Sequence, residues 1–109
     1  MKNRFYASVL LIAGLSITSL SAVANDAAWI RISQETIKQK LKDPNSAQFK
    51  NVTFNRSSKS KVVCGQVNSK NSFGGYVGFQ RFIAAGSQFG YLESEISDDF
   101  STVWRQFCG

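Results

Sequence analysis

The sequence predicts an α+β domain behind an export leader. Three observations carry this. Residues 26–42 place apolar side chains at helical spacing, residues 50–93 break into short apolar or alternating runs, and residues 97–108 return to helical spacing. The chain has 109 residues, so a leader at residues 1–24 leaves room for a single small domain, residues 25–109.

The leader comes first. Lys2 and Arg4 form a positive start, and Phe5 to Leu20 then run apolar or small with no charge. Ala22-Val23-Ala24 gives the small-x-small pattern of a signal-peptidase site, and Asn25-Asp26 begins a polar segment. This pattern predicts a signal peptide cut between Ala24 and Asn25, and hence a periplasmic or secreted product. An uncleaved anchor is the weaker alternative, because a span needs roughly 20 apolar residues. No cysteine lies near the cut, so no lipid-modified form is expected.

Export bears on Cys64 and Cys108. Two cysteines in an oxidising compartment allow one intramolecular bridge. Free or intermolecular thiols are the alternative. A zinc site fits less well, because there is no histidine and no second cysteine pair. A domain this small has a marginal core, so a staple would help it.

The elements run in order along the chain. Asp26 to Lys42 reads as an amphipathic helix, with Ile30, Ile37 and Leu41 in one arc and Arg31, Glu35, Lys38 and Lys42 opposite. Asp26 is the expected cap, with Ser33 as an alternative start, and Asp43-Pro44 the expected stop. Lys50–Asn55 and Lys61–Val67 read as strands, separated by the polar segment Arg56–Ser60. In the second strand Val63, Gly65 and Val67 share one face, and Val62, Cys64 and Gln66 the other. Asn68–Gly75 is turn chemistry, Tyr76–Ala84 the longest strand, and Phe89–Glu93 a fourth. Ser97 is the expected cap of a last helix that lines up Phe100, Val103, Trp104 and Phe107.

The expected architecture is therefore an N-terminal helix, a three- to four-stranded antiparallel meander and a C-terminal helix tied to the sheet by the disulfide. Each helix has one apolar stripe, so both are expected on one sheet face. The expected core is Ile30, Ile37, Leu41, Val63, Val77, Phe79, Phe100, Val103, Trp104 and Phe107.

Charge is uneven. The whole chain carries +6. From Lys38 to Lys70 the cations are Lys38, Lys40, Lys42, Lys50, Arg56, Lys59, Lys61 and Lys70, against Asp43 alone. A basic face of this kind suits an anionic envelope component or an acidic protein, or else serves only as a solvated surface. No nucleic acid is expected, and membrane contact is expected only through the leader before cleavage.

Catalytic signals are thin. Without histidine the usual acid–base and triad arrangements are missing. Gly74-Gly75-Tyr76-Val77-Gly78 lacks the residues of a phosphate loop. Glu93 and Glu95 could share a strand face as a carboxylate pair, the basis of an alternative reading as a small envelope hydrolase. The expectation is a non-enzyme with no cofactor and no metal.

The stretch Asn68–Phe82 is the most distinctive. Phe73, Tyr76, Phe79 and Phe82 alternate with Gly74, Gly75 and Gly78 and could form a binding lip, or simply a hairpin with core aromatics. Arg81 is a long, permanent cation suited to an anion, or to a rim ion pair with Glu93 or Asp98. The candidate binding residues are thus Lys38, Lys42, Lys61, Lys70, Tyr76, Phe79 and Arg81.

Two blocks, Lys42-Asp43-Pro44-Asn45-Ser46-Ala47-Gln48-Phe49 and Val63 through Phe79, also carry a resemblance. They resemble a family of small secreted or phage-borne proteobacterial proteins with a DPxSAxF turn and a VCGxVNxKNxxGGYxGF block. The resemblance implies a bacterial envelope origin and carries over no functional residue. The sequence therefore points to a basic, disulfide-stapled exported protein that binds or inhibits rather than catalyses.

Overall fold

The computed structural model describes residues 25–56, 61–96 and 98–109. The leader, Lys59 and the expected cap Ser97 lie outside these residues.

Helix α1 covers residues 25–38. Residue 25 is already helical, so Asp26 sits within the helix, where its carboxylate pairs with Arg56. Ser33 lies in mid-helix and is fully buried, so it starts nothing. The helix stops short of Lys42 because the chain tightens first: Lys40 N–H donates to Ile37 and Leu41 N–H to Lys38, three residues back. Pro44–Ser46 then forms a single 3-10 turn.

The sheet has four antiparallel strands in chain order, β1 (Gln48–Asn55), β2 (Val62–Asn68), β3 (Gln80–Ala85) and β4 (Phe89–Leu92). β1 carries a bulge: Lys50 pairs with Gln66 and Thr53 with Cys64, so β1 uses one residue more than β2. Asn51 absorbs it with φ 54, a left-handed conformation that asparagine tolerates. Glu93–Glu95 is a 3-10 turn, and helix α2 spans Phe100–Phe107.

The two helices cover opposite faces, a correction to the single-face expectation. Ile37, Val63, Val67, Phe82, Ala84 and Leu92 form one buried cluster, with Ile30, Leu41, Phe49, Val52 and Phe54 packed against it. Val62, Cys64, Ile83, Ala85 and Phe100 form the other, with Val103, Trp104 and Phe107 against it. β2 and β3 are thus buried on both sides, which is why VVCGQV and FIAA are near-continuous apolar runs. Cys64 faces α2, and the Cys64–Cys108 disulfide ties that helix to β2 with Cα atoms 6.0 Å apart.

α1 is anchored by more than apolar contact. At the β3–β4 turn, Gly86 N–H donates to Ser33 Oγ at 2.8 Å, and Thr36 Oγ1 donates to Gly86 C=O at 2.6 Å. Trp29 Nε1 donates to the Lys61 carbonyl at 2.8 Å. Ser33 is fully buried, and its hydroxyl is satisfied by the Gly86 N–H.

The expected strand Tyr76–Ala84 is shorter than its pattern. β3 starts at Gln80, and Val77 and Phe79, expected in the core, are 59% and 39% exposed. Gly78 is the reason. Its φ of 103 turns the chain out of the pleat, and its N–H goes to Asn68 Oδ1. The apolar work assigned to those two residues falls to Phe82, Ile83, Ala84 and Leu92. Glu93 and Glu95 likewise sit on a 3-10 turn and not on a strand face.

Candidate functional site

The loop between β2 and β3 is the least ordinary surface of the molecule. Asn68 ends β2, and residues 71–79 are all exposed. Lys70 and Tyr76 form an isolated antiparallel bridge, so Asn71–Gly75 is the tip of a small hairpin. Phe73 stands at that tip, 97% exposed.

The loop is nevertheless tightly organised. Asn71 Oδ1 accepts the N–H groups of Phe73 at 2.9 Å and Gly75 at 3.1 Å. Gly74 N–H donates to Asn71 C=O, and Asn71 N–H to Gly75 C=O. At the foot, Val77 N–H donates to Ser69 C=O and Lys70 N–H to Ser46 Oγ. Tyr76 OH donates to Ser46 C=O at 3.2 Å, which ties the loop to the Pro44–Ser46 turn.

Cations sit behind the tip. Lys70 Nζ lies 5.6 Å from the Tyr76 ring centre, and Lys50 Nζ lies 4.0 Å from that of Phe79. Lys40, Lys42 and Lys70 line a shallow cavity of about 190 Å³ at the loop's foot, with Asn71, Val77 and Gln80. Lys40 there is paired with Glu95 at 3.1 Å. The bulge in β1 sets Lys50 opposite Gln66, on the sheet face away from Phe49 and Val67.

The candidate binding residues are divided among different places. Lys42, Lys70, Tyr76 and Phe79 gather at the loop. Lys38 lies on α1, paired with Glu35 at 3.2 Å. Lys61 precedes β2 and so lies at the other end of that strand from Lys70. It borders a second groove of about 550 Å³ with Asp26, Trp29, Ile32 and Phe54.

Arg81 is on the α2 face. Its guanidinium donates to Glu93 Oε2 at 2.8 Å and Ser101 Oγ at 3.2 Å, while its own N–H donates to Glu93 Oε1 at 3.0 Å. The same group lies 5.2 Å from the Phe100 ring and 5.3 Å from Trp104. The rim pair with Glu93 is the arrangement found. The side-chain bond from Arg81, helped by its backbone N–H, holds the Glu93 carboxyl below the ordinary carboxylate range, against a smaller opposing effect of burial. Arg81 is raised in turn by that bond and stays charged. Glu95 is engaged through Leu92 N–H and Lys40.

Sequence reasoning placed Phe73 in the lip beside Tyr76 and Phe79 but left it, with Lys40 and Lys50, out of the candidate binding residues. The signal for Phe73 was local: a large apolar residue inside Asn-Ser-Phe-Gly-Gly has no strand or helix to bury it. Lys50 carried no such signal, because its position depends on the bulge. Among the described residues no group of His, Cys, Asp or Glu could hold a metal ion, and no helix is long and apolar enough to cross a membrane. No protein-family model matches the chain, no curated protein is detectably similar to it, and no solved structure matches its fold.

Proposed function

We propose that the chain is a non-catalytic binding module of the bacterial envelope, exported by its leader, that engages an anionic partner through the 69–79 loop. One observation carries the reading: a fully exposed phenylalanine on an internally hydrogen-bonded loop, backed by Lys42, Lys50 and Lys70. An exposed aromatic ring on an ordered loop offers apolar contact area, and the cations beside it favour an anionic partner. The resemblance to exported proteobacterial and phage-borne proteins agrees with this setting.

The alternative, an envelope hydrolase using Glu93 and Glu95, has less support. A general acid needs a carboxyl raised towards neutral pH, whereas Arg81 lowers that of Glu93.

The test is retention from envelope extract at low and physiological salt. Wild-type protein retains an acidic ligand that weakens as salt rises, since exposed charges are screened over about 8–10 Å. Phe73→Ala and the triple reversal Lys42→Glu, Lys50→Glu, Lys70→Glu lose it, while Glu93→Gln with Glu95→Gln keeps it. Retention indifferent to loop and lysine changes but lost with the glutamates overturns the proposal. Intact mass of exported protein supports the leader if the chain begins at Asn25, and refutes its cleavage if Met1 is retained.

A further inference from the structure

We infer that the 69–79 loop is a membrane-contact device: Phe73 enters the interfacial layer of an anionic phospholipid bilayer, and Lys42, Lys50 and Lys70 take the headgroup phosphates. This rests on the binding-module reading above and names its partner. It extends to the folded domain a membrane contact that the sequence confines to the leader.

The first argument is the backbone. A segment that leaves water must satisfy its polar groups internally, because a hydrocarbon boundary offers no partners. The loop does so for most of its N–H groups. The N–H groups of Lys70, Asn71, Phe73, Gly74, Gly75, Val77 and Gly78 all donate within the protein. A single side chain, Asn71, closes two of them at the tip. The same bonds that hold the turn in water leave few N–H groups to strip of solvent when the tip is buried.

The second argument is shape. Phe73 is flanked by Ser72 on one side and by Gly74 and Gly75 on the other, so nothing broad surrounds the ring. Protein hot spots cluster in a patch rimmed by neighbours that exclude water. A lone ring on a convex tip lacks that rim. A fluid interface needs no matching pocket.

The third argument is charge. Asn68 to Gln80 contains no acidic residue. Lys50 and Lys70 lie against Phe79 and Tyr76, behind the tip, and Lys42 borders the cavity beside them. An apolar point with cations set back from it matches a bilayer, whose acyl region lies beneath its phosphates.

The experiment is co-sedimentation of exported protein with vesicles of phosphatidylcholine alone and of phosphatidylcholine mixed with phosphatidylglycerol. The expected result is binding to the mixed vesicles only. Phe73→Ala weakens it roughly tenfold or more, as forfeited burial of a phenyl ring requires. The triple Lys→Glu reversal weakens it by roughly a hundredfold or more. Tryptophan placed at Phe73 (Phe73→Trp) is quenched by brominated lipid. Unchanged melting of Phe73→Ala shows that the fold is intact. Absent binding, equal binding to both vesicle types, insensitivity to Phe73 or an unquenched Phe73→Trp overturns the inference. If vesicle binding fails while extract retention still needs Phe73 and the lysines, the partner is an acidic protein and the binding reading stands. If both fail, both fall.

Discussion

Replacing Glu93 by Gln should cost about 1 kcal/mol, because a partly exposed charge-assisted pair is worth little more than that after screening. The sign of its pH dependence is fixed. The folded state lowers the Glu93 pKa, so the pair's contribution is full above the unfolded value of about 4.3 and is lost as pH falls through the lower folded value. Chemical denaturation of wild type at neutral pH and below about pH 4 should show that loss, and Glu93→Gln should not. Gly86 is a second residue with a sharp expectation. Its φ is 57, and a Cβ there would lie 2.7 Å from the Trp29 ring. Gly86→Ala should therefore destabilise by about 1–3 kcal/mol, from backbone strain and overpacking together. A melt at the wild-type temperature would contradict this contact.

α2 shows what helical spacing does and does not reveal. The i, i+3, i+4, i+7 stripe of Phe100, Val103, Trp104 and Phe107 was plain in the sequence, and all four meet the sheet. Their depth was not plain. Phe100 is 1% exposed while Trp104 is half-buried, so Phe100→Ala should cost about 3–5 kcal/mol and Trp104→Ala less. Urea midpoints of the two variants would decide the order. The face α2 covers was encoded as well. Cys64 alternates with Val63, so a bridge to Cys108 draws the helix to the side opposite Val63. Counting apolar stripes alone hid this. β3 failed differently: Tyr-Val-Gly-Phe reads as strand by composition, and only the left-handed turn at Gly78 takes Val77 and Phe79 out of the sheet. That conformation is a backbone choice which side-chain periodicity does not report.

At the scale of the molecule, a four-stranded meander is covered on both faces by short helices. Neither core cluster is large, and the bridge spans 44 positions of sequence. Removing it with Cys64→Ala and Cys108→Ala should cost about 4 kcal/mol through the freed unfolded chain, a large share of the stability of a domain this size. Calorimetry of the double variant against oxidised wild type measures it, and equal melting temperatures would refute the staple's importance. The basic excess was legible as a number, but its distribution was not. Lys42 and Lys70 converge only because the end of α1 and the end of β2 lie together, and Lys61 separates from them because a strand has two ends. Fold class followed from local pattern, whereas the site depended on contacts between elements distant in sequence.

The extra residue in β1 makes that strand a frame with one silent position. Phe49, Val52 and Phe54 all pack on the α1 side, although the first two are separated by an odd number of steps. Asn51 absorbs the difference. A chain lacking Asn51 would alternate without interruption, and every inward residue would keep its side. A chain lacking Lys50 would also keep Phe49 in phase with Val52, but without the cation that sits on Phe79. Loss of Thr53 would instead throw Phe54 out of phase with Val52. Single-residue deletions through β1 should therefore leave the deletions of Asn51 and Lys50 folded and that of Thr53 not. The strand reads as ordinary sequence at every position, yet its tolerance to insertion and loss is set by one place where the ladder does not count.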